Sequence, residues 1–122
     1  MAVNRGHPVG QALLLALVIP MVLASEPDPD PPVSMARGRA LAMDTGKGNC
    51  IACHRFRGAG VSSNVGPELR DMARRYPDRQ ALRAQIWDAG ARNPDTLMPP
   101  FGRYGILSED EIDALTDFVR SL

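Results

Sequence analysis

Both cysteines of the 122-residue chain, and one of its two histidines, stand in one pentapeptide, Cys50-Ile51-Ala52-Cys53-His54. Cysteines at i and i+3 lie on one side of a helical turn. From there their sulfurs can add to the two vinyl groups of a haem, and the adjoining histidine is held beneath the iron. This spacing is that of c-type haem attachment. Two other chemistries use the same residues. A redox-active disulfide of this spacing belongs in a βαβ pattern, which the sequence lacks. A closed zinc site needs four ligands, and outside the N-terminal stretch only these three Cys and His residues exist. The expected cofactor is one covalently bound haem c, with Cys50 and Cys53 as its attachment sites and His54 as proximal iron ligand.

The N-terminus reads as an export signal, residues 1–24. Arg5 supplies a positive charge, and Ala12 to Leu23 form an apolar stretch interrupted only by Pro20. Val22-Leu23-Ala24 then offers a small residue for cleavage after Ala24. Spanning a bilayer takes roughly 20 apolar residues, so no stable membrane anchor is expected from this shorter, proline-broken core. Its removal takes His7 away and leaves 98 residues with 13 basic and 14 acidic side chains. The expected location is the periplasm. A balance of charge so near zero argues against nucleic acid as a partner. Residues 25–33, SEPDPDPPV, alternate proline with acid and read as a flexible tether, followed by one domain over 34–122.

That domain is expected to be all-α, with about four helices. The first runs from an N-cap at Ser34 to Asp44, with Ala36, Ala40 and Met43 on one face beside Leu41, and with Gly38 allowing a close helix approach. The second opens at Gly66-Pro67 and places Leu69, Met72, Ala73 and Tyr76 at i, i+3, i+4 and i+7. The third runs from Asp78 to Ala89, with Leu82, Ile86 and Ala89 inward. The fourth starts at Ser108, where Glu111 completes a capping box, and carries Ile112, Leu115, Phe118, Val119 and Leu122 as its apolar stripe. A long irregular loop, ARNPDTLMPPFGRYGI, separates the last two helices. Loops of that length in small domains are usually functional.

A haem held by His54 leaves a sixth coordination position. Met35, Met43 and Met72 fall on helices and read as core. Met98 lies in the long loop, 44 residues after His54, between Leu97 and Pro99-Pro100. Two prolines stiffen the backbone there, so a thioether can be presented to iron with little ordering entropy. Met98 is therefore the expected distal iron ligand, with Lys47 or an open position as the alternatives. Histidine–methionine ligation raises the reduction potential.

The order of helix, CxxCH, Gly-Pro loop, methionine loop and final helix resembles the class I cytochrome c fold. That resemblance implies that the Pro67 carbonyl accepts a hydrogen bond from the free ring nitrogen of His54 and that the first and last helices cross. The strings GNCIACH (48–54), VGPEL (65–69), LRAQIWDAGARNP (82–94), TLMPPFGRYGIL (96–107) and EIDALTDFV (111–119) are similar to the SoxX family. SoxX is the monohaem subunit of the SoxAX complex, an L-cysteine S-thiosulfotransferase of bacterial thiosulfate oxidation. The resemblance implies a SoxA-like dihaem or monohaem partner, the carrier protein SoxYZ as the complex's substrate, and a downstream electron acceptor. It makes this chain the electron-transfer subunit, with no catalytic residue of its own. Residue counting agrees, since haem consumes both thiols and Met98 closes the iron.

Two features keep two readings each. Trp87 is either a core filler or a donor to a haem propionate. Arg55, Arg57, Arg70, Arg74, Arg75, Arg79 and Arg83 are either a solvated face neutralised by Glu68, Asp71 and Asp78, or a surface for an acidic partner or the propionates. The alternative function is a free-standing periplasmic cytochrome c electron shuttle, which needs the same haem ligands.

Overall fold

The computed structural model describes residues 31–60 and 63–122, together with Met1. The expected export signal and most of the tether lie outside the described residues. Four helices make up the fold, and no strand occurs among the described residues: α1 Pro31–Met43, α2 Met72–Arg75, α3 Arg79–Trp87 and α4 Glu109–Arg120. Short 3-10 turns at Cys50–Ala52 and Ala89–Ala91 join them.

The last helix is the centre of the packing. Ser108 accepts from the Glu111 amide, and the Glu111 carboxylate accepts from the Ser108 amide, so the expected capping box is present. Behind that cap, Ile112, Leu115, Phe118 and Val119 are buried. Phe118 meets Phe56 edge-on, with ring centroids 5.6 Å apart. Helix α1 crosses α4 at Gly38. A Cβ on Gly38 would stand 2.1 Å from the Ala114 carbonyl oxygen and 2.7 Å from the Phe118 Cβ. The absent side chain is what lets the two backbones approach.

That crossing corrects the face expected for α1. Ala36 and Ala40 are exposed, Met43 is half-buried, and Met35 is exposed rather than part of the core. The inward residues are Ser34, Gly38, Leu41 and Ala42, spaced at i, i+4, i+7 and i+8. Ser34 donates to Asp117 Oδ2 at 3.3 Å across the interface. Alanine fits either face, so the alanines carry little information about direction, and the close approach at Gly38 decides it. The helix also begins at Pro31, inside the expected tether. Proline lacks only an N–H that a first helical turn does not use, so two prolines do not prevent a helix start.

The expected second helix shrinks to one turn. Over 66–70 the backbone is irregular, because its groups bond to the segment after the second cysteine. The Gly66 amide donates to the Cys53 carbonyl at 2.8 Å, and the Leu69 amide to the Arg55 carbonyl at 2.9 Å. Asp71, at φ 52°, turns the chain into α2. Met72 is buried, Leu69 and Tyr76 are half-buried, and Ala73 faces solvent. Helix α3 starts where expected, with Asp78 accepting from the Gln80 amide, but it ends at Trp87 and a 3-10 turn carries Ala89 inward.

Arginines clasp α3 to α4. Arg79 Nε lies 2.7 Å from Asp117 Oδ1, Arg79 Nη1 3.1 Å from Asp113 Oδ1, and Arg83 Nε 3.0 Å from the same oxygen. Arg83 also binds Glu109. The partners of Arg79 and Arg83 are therefore carboxylates of α4. Glu68 serves Arg55 and Arg70, and Asp71 serves Arg74. Asp78 is used as a cap.

Burial pushes the Asp113 carboxyl upward, but the hydrogen bonds and charges of Arg83 and Arg79 outweigh it and hold it below the usual range. Glu111 is lowered too, by the Ser108 amide first and by Lys47 second. A depressed folded-state pKa means that the unfolded chain binds more protons. The stabilisation is then present above the ordinary carboxylate pKa of about 4 and is lost as pH falls through the lower folded value. Unfolding free energy is expected to drop between roughly pH 5 and roughly pH 3, and Asp113→Asn should flatten that slope, by about 1 kcal/mol for so exposed a network. Urea titrations followed by circular dichroism check this, and identical slopes in the two proteins would remove the clasp from the account. At the helix crossing, Gly38→Ala should lower stability by about 1–3 kcal/mol despite alanine's better helix propensity. An unchanged urea midpoint would contradict the contact.

Candidate haem site

Between the cysteine turn, α2, α3 and the long loop lies a cavity of about 720 Å³. That is within the roughly 300–1,000 Å³ of small-molecule and cofactor sites. Its inner wall is apolar, with Met72, Leu82, Ile86, Phe101, Leu115 and Val119 contributing. Cys50, Cys53, His54, Pro67 and Met98 all line it, so residues 44 apart in sequence are brought to one space.

The cysteines are placed by a 3-10 turn rather than an α-helix. Asn49 enters it at φ 47°, and the Cys53 and His54 amides both donate to the Cys50 carbonyl, at 3.2 and 2.8 Å. In a 3-10 turn side chains at i and i+3 eclipse, which brings the two sulfurs to one side. Both thiols are free. Burial, the largest influence, pushes the Cys50 thiol up to about 11, which the neighbouring Cys53 reinforces against the Cys50 backbone hydrogen bond. A thiol that attacks disulfides needs the opposite shift, toward thiolate. Cys50 is therefore not disposed as an attacking thiol. Among the described residues no group of three or more His, Cys, Asp or Glu side chains is arranged to hold an ion, so the zinc reading lacks its ligands.

His54 is held from behind. Its Nδ1 stands 2.7 Å from the Pro67 carbonyl oxygen. With that nitrogen donating, Nε2 keeps its lone pair as the ligating atom, which is how an outer hydrogen bond orients a metal-binding imidazole. Gly66 sits against the ring, where a Cβ would come 2.6 to 3.0 Å from Cε1, Nδ1 and Nε2. The sequence signal for this was the Gly-Pro dipeptide, a turn marker that doubles as a helix start. Reading it as a helix start hid the role of Gly66.

Met98 is half-buried, and its amide donates to Thr96 Oγ1 at 3.2 Å. Lys47, the alternative ligand, also borders the cavity, but its Nζ is paired 2.9 Å from Glu111 Oε1. Met72 lines the cavity as well, and its sulfur accepts from Arg75 Nη1 at 3.3 Å. Trp87 is half-buried and packs against the core. Its ring packs against Gly102, with the Arg83 guanidinium 5.5 Å from the ring centroid. It is not among the residues that line the cavity.

A cleft with an apolar inner wall, two thiols on one turn and an imidazole with one nitrogen committed fit a covalently attached haem. The cytochrome c family model matches residues 35–122, which takes in every element around the cavity. The chain belongs to the cytochrome c family. It is also 36% identical over 98 residues to the cbb3-type cytochrome c oxidase subunit CcoP of Azospirillum sp. (strain B510). That match takes in 73% of this chain and 31% of the relative, so the chain spans about a third of the relative's length. As in other cytochrome c domains, the role is electron transfer, and the family's cofactor is covalent haem c. No helix among the described residues is long and apolar enough to cross a membrane.

Gly66→Ala should displace the His54 ring, because alanine is allowed at that backbone conformation and only the ring stands in its way. The expected result is a loss of about 1–3 kcal/mol in stability together with an altered visible spectrum of the holoprotein. An unaltered spectrum and denaturation midpoint would remove Gly66 from the positioning of His54.

Proposed function

We propose that this chain is the electron-accepting subunit of a SoxAX-type L-cysteine S-thiosulfotransferase, exported to the periplasm and paired with a SoxA-like cytochrome. The observation that carries the reading is the run of residues around the distal side, LRAQIWDAGARNP (82–94) and TLMPPFGRYGIL (96–107), which is far more specific than CxxCH alone. Joining the terminal sulfur of thiosulfate to a carrier cysteine of SoxYZ forms one S–S bond and releases two electrons. A bound haem supplies reversible one-electron exchange between Fe(III) and Fe(II).

This chain's own residues define what it contributes. Cys50 and Cys53 would hold the haem covalently, so no thiol is left to attack sulfur. His54, with Nδ1 committed to Pro67, would be the proximal ligand and Met98 the distal one. Thioether ligation by Met98 would favour Fe(II) and would leave no open position for substrate. The apolar wall of Leu82, Ile86, Phe101 and Leu115 excludes water, which favours the less charged state further. Sulfur chemistry is thereby left to the partner, and electrons pass on to a downstream acceptor.

A second reading is favoured by the resemblance to CcoP, an electron-transfer role beside a respiratory oxidase. Reconstitution separates the two. With SoxA-like protein and SoxYZ present, thiosulfate should reduce the haem of this chain rapidly, and omission of either should stop it. Fast reduction by thiosulfate with no partner would overturn the subunit reading. So would partner-independent oxidation by a cbb3-type oxidase without any thiosulfate-linked reduction in the complete mixture.

A further inference from the structure

The junction between the end of α3 and the segment after Met98 is unusually tight. Trp87 is the last residue of α3, and its carbonyl accepts from the amides of Gly102 at 3.1 Å and Arg103 at 3.4 Å. A Cβ built on Gly102 would stand 2.0, 2.2 and 2.6 Å from three carbons of the Trp87 ring. Gly102 does not adopt a positive φ, unlike Gly58, Gly60 and Gly105. A left-handed backbone is therefore not what calls for glycine here, and the ring is the obstacle to a side chain. The ring itself is restrained, since the guanidinium of Arg83, 5.5 Å from its centroid, is pinned by Asp113 and Glu109. Asp88 and Arg103 add an ion pair at 3.2 Å across the same junction.

Met98 is four residues before Gly102, with Pro99, Pro100 and the buried, cavity-lining Phe101 between them. Two prolines and one anchored aromatic leave little slack over that distance. We infer that the contact of the Trp87 ring with Gly102 positions Met98 for iron, making Trp87 and Gly102 positioning residues for the distal ligand. This rests on the reading of Met98 as that ligand. The contact acts by shape. A side chain at 102 cannot enter the space that the ring fills, so the segment must lift from α3 and carry Met98 with it.

The test uses the ferric holoprotein and two readouts other than activity: the sulfur-to-iron charge-transfer absorbance near the red end of the spectrum, and the apparent affinity for added imidazole. Imidazole competes with the thioether, so its apparent affinity rises as the ligated population falls. Gly102→Ala should weaken the band and raise imidazole affinity by about tenfold or more, with far-UV helicity retained. Adding Trp87→Ala to Gly102→Ala removes the ring that the new methyl strikes. The double variant should recover band and affinity relative to Gly102→Ala, a non-additivity that generic loss of stability does not produce. Should Gly102→Ala alone fail to fold, the double variant against wild type still reads the contact, through restored folding with an intermediate band. An unchanged band and affinity in Gly102→Ala, or a double variant worse than the single one, would overturn the inference. Met98→Ala is the control for the underlying reading. If the band survives that change, the ligand reading fails, whereas a band lost there and untouched by Gly102→Ala overturns the positioning role alone.

Discussion

The hydrogen bond from His54 Nδ1 to the Pro67 carbonyl, 2.7 Å long, ties together most of what surrounds the site. It sets which imidazole nitrogen faces the cavity. It also removes the Pro67 carbonyl from helix formation, since that oxygen would otherwise accept the amide of the fourth residue on. With Gly66 and Leu69 donating back to Cys53 and Arg55, the segment 66–70 becomes a strap over the haem-attachment turn. Gly66 is small because the imidazole lies against it. One polar contact thus orients the imidazole, shortens a helix and requires a glycine.

The rest of the fold holds the two sides of the cavity at a set separation. Gly38 lets α1 press onto α4, and the Arg79 and Arg83 clasp presses α3 onto the same helix. Helix α4 is therefore the common support, with its start secured by the capping box and a buried stripe of four large apolar residues behind it. The chain has six aromatic residues, few for a domain of this size. Small domains with thin cores commonly need a staple, and a large flat apolar group bonded through two cysteines is suited to that part.

Much of this was legible residue by residue. The stripe of α4 and its cap were readable because both are local: Ser108 and Glu111 are three residues apart, and Ile112, Leu115, Phe118 and Val119 follow one helical period. The α3 core positions Leu82 and Ile86 were readable for the same reason. The face of α1 was not, because alanines stand on several sides of it and only contact with Ala114 and Phe118 tells which side is inward. The second helix misled because Leu69 keeps a helical period with Met72 and Tyr76, yet its backbone amide bonds to the Arg55 carbonyl. Trp87 stood open between two roles, and its neighbour Gly102, fifteen residues on, could not be paired with it by any local pattern.

By itself the sequence determined the chemistry, since a ligand inventory is a matter of counting. Two cysteines and a histidine in one turn, with no other such residue beyond the N-terminal stretch, admit covalent haem and leave no spare thiol. Tertiary structure alone decided how those groups are held: which carbonyl binds His54, which face of α1 is buried, and what the Trp87 ring packs against. The reason is the range of the interactions. Caps and helical stripes join residues within a few positions of each other, whereas the contacts that orient His54 and anchor the Met98 loop join groups 13 and 15 residues apart. Their pairing exists only once the helices have closed around the cavity.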